Sequence, residues 1–599
     1  MARKRWSGRL TACAVAVVLA AAGPAAAHDG SERPEESAAL GQEHAHEHAR
    51  LRESMAALRS GYSQLARIDS LKDLTDSQVE ANANFNPQDF GRFAEYFPSP
   101  DFAAHIAMLP TGKVLLFSFE RMEDNPTQEP APTGTTGKAN AGRAYVWDPS
   151  KGTTTQAFKK VTPPTVLVPD GTLQARPAPF FCSGHAFLPN GMLGVFGGNL
   201  GYGGGAGAKL SLVFDPWTET WALNQDMAVG RWYPSVATAP DGRLLIMSGH
   251  SSEGWGTSTS RIERFPAKSL PVPFEKTFTP RLFPTDTLQV DAPFGENSDY
   301  PHLFTLRDGK VYGLGRDSTT QFAFDPVAET RTDLPDRPDG TDRGYGSAVP
   351  LPAGLRGPDS VLVLGGDRDD PDTYKLANGA WEKQQPRAFG RTQDDTLLMP
   401  DASLLTVNGA YAIRDYGNGP YNPQADLKYR QTETRDAQGQ WRLGPVQRLP
   451  RGYHSNAVVL PDGRILVTGD ELQQLANDPK ISDDMNGSIE IFEPAYLHQG
   501  GTRPTLTAVP DKAGYNAPFT VTTSTPNQVT KAVLLAPTTA THSLNTSQRH
   551  IELAIVKRNG LTLDLQAPPS SADAPPGFYM LFLLDERGVP STAKFVQVR

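Results

Sequence analysis

The segment Arg451–Gly469, RGYHSNAVVLPDGRILVTG, decides how the rest of the chain is read. A tyrosine and a histidine open it, a short apolar run follows, Pro461-Asp462-Gly463 turns the chain, and a second apolar run leads back to a glycine. Two short apolar runs split by a proline and glycine turn form a hairpin of buried strands. The same unit recurs as AHIAMLPTGKVLLFSF, SGHAFLPNGMLGVFGG, YPSVATAPDGRLLIMSG, YPHLFTLRDGKVYGLG, YGSAVPLPAGLRGPDSVLVLGG and TQDDTLLMPDASLLTVNG. Between copies stand an aromatic residue, an acid and a proline, at Trp147-Asp148-Pro149, Phe214-Asp215-Pro216, Phe324-Asp325-Pro326 and Phe492-Glu493-Pro494.

A hairpin with outer strands cannot cover both of its faces, and radial stacking of the copies solves this. The spacing overlaps the kelch period. The expectation is an all-β chain with a seven-bladed kelch-type β-propeller over residues 90–498. Past Phe492 the pattern changes to alternating strands at sandwich spacing, which predicts a C-terminal Ig-like β-sandwich over 499–599. The 55 glycines and 52 prolines suit such turn-rich architecture.

The first residues carry Arg3, Lys4, Arg5 and Arg9, then an apolar run ending at Ala25-Ala26-Ala27. This is the layout of a secretory signal over 1–27, too short for a comfortable membrane span, and it predicts a secreted, extracellular or wall-associated protein. Cys13 precedes the apolar run, unlike a lipoprotein cysteine. Residues 28–89 read as a short N-terminal helical or mobile segment. In it His44 and His48 share a helical face beside His46, as a metal-capturing cluster or as a solvated helix surface. The formal net charge of −9, more negative still without the leader, argues against nucleic acid as a partner. Losing the leader leaves Cys182 as the single cysteine, with no intramolecular disulfide to form.

Chemistry gathers at one address on the repeat, the start of the hairpin. Cys182 opens the second unit in PFFCSGH, Tyr233 the third in GRWYPS, and Tyr453 with His454 the seventh. Residues sharing one address on different blades converge at one mouth of a propeller. His105, His185 and His302 lie beside that address and read as packing. The glycine-dense Gly201–Ala208 joins no strand to a helix and reads as a loop.

These motifs resemble the galactose oxidase and glyoxal oxidase family of copper-radical oxidases. The likeness runs from about Phe90 to Arg599 and rests on FCSGHAFLPNG, GRWYPSVATAPDGR, RGYHSNAVVLPDGR, TTATHSLNTSQRHIEL and PPGFYMLFLLDERGVPS. It implies a thioether between Cys182 and Tyr233 that carries a radical, and one copper held by Tyr233, Tyr453, His454 and His542. It further implies oxidation of small aldehydes or primary alcohols, glycans included, by a monomer, with dioxygen reduced to hydrogen peroxide and Tyr453 as general base. Two imidazoles and phenolate oxygen also suit the N and O preference of Cu(II), and two tyrosines make a poor structural zinc site.

The chain departs from galactose oxidase in two respects. The preceding carbohydrate-binding domain is missing, and Ser251 stands where a stacking tryptophan is expected. Trp255 is then a candidate for that ring if the loop is longer, and Tyr345 is another. The alternative readings are a non-catalytic kelch-propeller binding scaffold, and a glycan hydrolase using Asp394 and Asp395.

Overall fold

The computed structural model describes residues 76 and 78–599, apart from 120–140, 168–174, 201–205, 255, 278–282, 295–298, 317–319, 341–342, 367–369, 411–428, 450 and 470–486. Residues 78–82 and Pro87–Phe90 are helical. The rest of the expected helical segment, with His44, His46 and His48, lies outside the described residues, as do the leader and Cys13.

Each repeat becomes the first two strands of an antiparallel sheet; among the described residues six of these seven sheets have four strands, and the first has a fifth, added from the C-terminal unit. His105–Met108, Gly184–Phe187, Ser235–Thr238, His302–Thr305, Ser347–Pro350, Thr392–Leu398 and Asn456–Val459 are their first strands. These first strands are buried almost throughout, whereas fourth strands such as Thr330–Asp333 and Ala380–Lys383 are largely exposed. Burial therefore grades from the axis outward, and the fold is a β-propeller followed by a C-terminal β-sandwich. The acid of the recurring aromatic, acid and proline signature makes the turn to the fourth strand: Asp215 Oδ1 accepts the Trp217 N–H at 2.8 Å and Asp325 Oδ1 the Val327 N–H at 2.9 Å. The last sheet takes its outermost strand, Arg92–Ser99, from the beginning of the chain, paired with Gly487–Glu493. Both ends of the repeat region are thereby tied into one sheet.

A brace repeats inside the sheets. Arg231, Arg391 and Arg451 precede first strands and reach across to a glutamate on the third strand: Glu263 at 3.2 Å, Glu433 at 2.7 Å and Glu490 at 3.2 Å. On the way each guanidinium donates to carbonyls at the end of the second strand and the start of the third, as Arg391 does to Asn408 and Gln431. The glutamates also accept backbone N–H groups, from Val229, Ala388 and Arg448. Charges with no exposure persist only when paired and hydrogen-bonded in this way.

In the C-terminal unit a five-stranded sheet containing Gly577–Leu584 faces a three-stranded sheet containing Thr562–Gln566 across a shared apolar core. A finger leaves this sandwich and enters the propeller. Its strand Thr539–Thr541 pairs with the first strand of the first sheet, His105 opposite Thr541. Farther along, Thr546 bonds the Val236 carbonyl, Arg549 the Thr305 carbonyl, and Gln548 the Thr396 carbonyl and Leu398 N–H. The finger thus touches the first strands of four sheets.

Replacing Arg391 with alanine strands a buried Glu433. The expected loss is about 3–5 kcal/mol, read from denaturant midpoints, against less than about 1 kcal/mol for Arg331→Ala, whose partner Asp333 is solvent-exposed. Equal midpoint shifts in the two variants would show that the brace carries no special weight.

Candidate metal centre

Each of the seven units holds one non-glycine residue at positive φ just ahead of, or at the start of, its first strand: Ala103 (57°), Cys182 (56°), Tyr233 (63°), Tyr300 (45°), Tyr345 (56°), Gln393 (61°) and His454 (68°). In three units the turn is closed by a bond from the fourth residue to the first, Ser183 to Phe180, Gly346 to Arg343 and Ser455 to Gly452. The third position of such a turn ordinarily takes glycine or asparagine. A cysteine, tyrosine or histidine there costs about 1–2 kcal/mol. Bonds between neighbouring sheets offset the cost, the N–H of Tyr233 donating to Cys182 O at 3.0 Å, of Tyr300 to Tyr233 O at 3.0 Å and of Gln393 to Tyr345 O at 2.9 Å. Gly184 permits this approach, because a Cβ on it would lie 2.5 Å from Pro234 O.

The shared backbone address delivers the side chains to one volume. Cys182, His454 and His542 have ligand atoms within 4.8 Å of one another. Tyr233 and Tyr453 place their hydroxyl oxygens 2.7 Å apart. Cys182 Sγ lies 3.6 Å from His542 Nε2. The His542 ring is 4.6 Å from that of His454, 5.3 Å from Tyr453 and 5.5 Å from Tyr233, centroid to centroid. All five side chains are at most 2% exposed. His542 arrives on the finger, at the tip of a tight turn in which Thr541 and Leu544 exchange both backbone hydrogen bonds and His542 and Ser543 have φ of 48° and 63°. Two successive positive φ values make a two-residue hairpin turn of the kind usually built from Asn-Gly.

Two imidazoles and two phenol oxygens converging in a dry site are a donor set for a metal that prefers N and O ligands. The cysteine, packed in one cluster with Tyr233 and Phe181, also bonds through its backbone, its N–H donating to His105 Nε2 at 3.0 Å. His105 therefore does more than pack: it fixes the turn that carries Cys182.

The galactose oxidase-like early set domain family matches residues 503–598. Galactose oxidase of Gibberella zeae is 27% identical over 547 residues, covering 85% of this chain and 70% of that one. Aldehyde oxidase GLOX1 of Arabidopsis thaliana is 28% identical over 470 residues, covering 70% and 71%. These likenesses support the galactose oxidase and glyoxal oxidase family as the family of this chain. The solved structure of a fungal alcohol oxidase of the AA5 family, in complex with copper, shares the fold with a TM-score of 0.65 at 20% identity, covering 85% of this chain and 100% of that one.

Several residues of this site escaped the sequence reading. Trp255 lies outside the described residues; the ring found stacked on Tyr233 is its neighbour Trp232, at 4.8 Å and 24°. Tyr345 instead meets Tyr453 edge-on at 5.5 Å, under the Arg316 guanidinium. Tyr300 packs edge-on to Tyr233 at 5.0 Å and donates to Ser183 O at 2.9 Å. The signal for it was available, since Tyr300-Pro301-His302 repeats Tyr233-Pro234-Ser235 at the same address. His250 Nε2 bonds Asp299 at 2.7 Å beside these rings, and the Gly256 N–H donates to Nδ1, which puts the ring proton on Nε2. Asp394 and Asp395 are committed inward, to Arg387 and to Asn408, and burial pushes the Asp395 carboxyl well above the usual range.

Burial holds His185 neutral, its pKa pulled down to about 3, with neither ring nitrogen bonded to the protein. His105 and His302 are lowered in the same way. An unfolded histidine takes up its proton near pH 6.5. Stability is therefore full above that pH and falls by about 1.4 kcal/mol per pH unit for each such histidine as pH drops toward the folded value. The expectation is that His185→Phe flattens this acid limb; denaturant midpoints that follow the wild-type pH slope would contradict it.

Proposed function

We propose that the chain is a secreted copper-radical oxidase. Its seven sheets are the blades of a kelch-type propeller over 90–498, and its Ig-like sandwich over 499–599 supplies one metal ligand. The carrying observation is that Cys182, Tyr233, Tyr453, His454 and His542, drawn from three blades and a second domain, meet in one buried volume. Tyr233, Tyr453, His454 and His542 are the residues that would hold copper, and Cys182 the partner of Tyr233 in a thioether. Bound copper supplies a Lewis acid for the substrate hydroxyl and a one-electron acceptor beside the tyrosine.

The residues divide the remaining work. A thioether sulfur beside the phenol oxygen makes the Tyr233 ring easier to oxidise, so that Tyr233 stores an electron hole and takes a hydrogen atom from the substrate carbon. Tyr453, whose oxygen lies 2.7 Å from that of Tyr233, takes the hydroxyl proton as general base. Burial under Trp232 and Tyr300 keeps the ring from bulk solvent. A primary alcohol leaves as the aldehyde, or a hydrated aldehyde as the acid, and dioxygen leaves as hydrogen peroxide. Small aldehydes and primary alcohols, glycans among them, are the proposed substrates. The leader, basic residues followed by an apolar run, supports export with cleavage after Ala27.

Copper loading followed by tryptic digestion and mass measurement tests this reading. One species containing both the Cys182 and Tyr233 peptides, lighter by two hydrogens than their sum, is expected; two unmodified peptides would exclude the radical oxidase. His542→Ala is expected to leave the fold intact and abolish stoichiometric copper uptake and peroxide release from methylglyoxal, glycolaldehyde and galactose.

A further inference from the structure

His542 sits on a strained turn at the end of a long finger, so its ring must be oriented by groups other than a metal. Thr541 supplies one of them. Its hydroxyl oxygen lies 2.6 Å from His542 Nδ1 and 2.7 Å from the Ala104 carbonyl oxygen. A carbonyl oxygen only accepts, so the single hydroxyl proton points to Ala104. Toward His542 the same oxygen accepts, which places a proton on Nδ1 and leaves the lone pair on Nε2. Nε2 is the nitrogen that faces the centre, 3.6 Å from Cys182 Sγ.

The relay is anchored on both sides. The Asn456 amide donates to the Ala103 and Ala104 carbonyls at 2.7 and 3.0 Å, and to the His454 carbonyl at 3.4 Å. One hydrogen-bonded cluster therefore links the first sheet, the seventh sheet with His454, and the finger with His542. From the opposite side the Arg316 guanidinium, 2% exposed and 4.8 Å above the Tyr345 ring, donates to the His542 carbonyl at 2.9 Å.

We propose that Thr541 is a positioning residue that fixes His542 as the Nδ1–H tautomer, and that Arg316 fixes its main chain, so that Nε2 is aimed as a ligand before any metal arrives. The inference rests on the reading of His542 as a copper ligand. Groups that orient a ligating histidine typically carry 10–100-fold in metal affinity. Without the hydroxyl, Nδ1–H loses this acceptor, and the preference for the tautomer with a free inward nitrogen weakens.

Full-length Thr541→Val and Thr541→Ser are compared with the wild type in Cu(II) competition titrations against a chromophoric chelator, with the Cu(II) electron paramagnetic resonance spectrum and the thermal midpoint of the metal-free protein. Thr541→Val is expected to bind Cu(II) about 10–100-fold more weakly, with altered hyperfine splitting and a metal-free midpoint that does not account for the loss; Thr541→Ser restores both. If the valine variant fails to fold, Thr541→Ala is read in the same way. Equal affinity and spectrum in wild type and Thr541→Val, or an equal loss in Thr541→Ser, overturns the positioning role. A wild-type chain that takes up no copper overturns this inference and the proposed function together.

Discussion

The constraint on which the rest depends is the left-handed backbone at one repeated address. Side chains point into the axis at this level because seven non-glycine residues hold positive φ, and each such residue costs about 1–2 kcal/mol in isolation. The turns persist because neighbouring sheets exchange backbone hydrogen bonds through them, so no single turn can relax without disturbing the next. Strain that the surrounding ring over-determines makes a preorganised site: the backbone turns themselves deliver the candidate donor side chains to one volume.

The same ring explains why buried charge is tolerated close by. An arginine immediately upstream of the turn is carried into the sheet by the chain direction, and it pays its desolvation by pairing with a third-strand glutamate and several carbonyls. In the third sheet Arg231 directly precedes Trp232 and Tyr233, so the brace and the site are set by one short sequence. In the seventh, Arg451 stands at the corresponding place ahead of Tyr453 and His454. Brace and turn are thus one device, with stability and site geometry coupled at the level of adjacent residues.

Much of this was legible in the sequence. The hairpin unit, the acid that turns the chain into the fourth strand and the shared opening address are all local patterns, and a local pattern survives folding when every copy experiences the same neighbours. What could not be read were relations between residues far apart in the chain that share no repeat position. Nor was the stacking of Trp232 on the adjacent Tyr233 legible, because sequence does not fix how the two neighbouring rings are oriented. Thr541 is recognisable as a positioning group only once His105 is found opposite it in a strand pair. Tyr300 is readable from its repeat position, since it stands at the address of Tyr233, but as an enclosing ring and not as a candidate ligand.

A propeller on its own offers each address residue radially, from the rim of the axis inward. A ligand that must stand among those residues, within reach of all of them, has to come along the axis. Here the finger does so from the face opposite the address, paired to the first sheet on the way and ending in the tightest turn a hairpin allows. Wide turns would fill the space the rings of Tyr233, Tyr300, Tyr345 and Tyr453 occupy around His542, at centroid distances of 5.5, 4.9, 6.3 and 5.3 Å. The finger also occupies the axis on its own side, bonded to the first strands of four sheets. One segment therefore completes the donor set and closes the back of the site, which makes the sandwich domain a part of the centre as much as any blade.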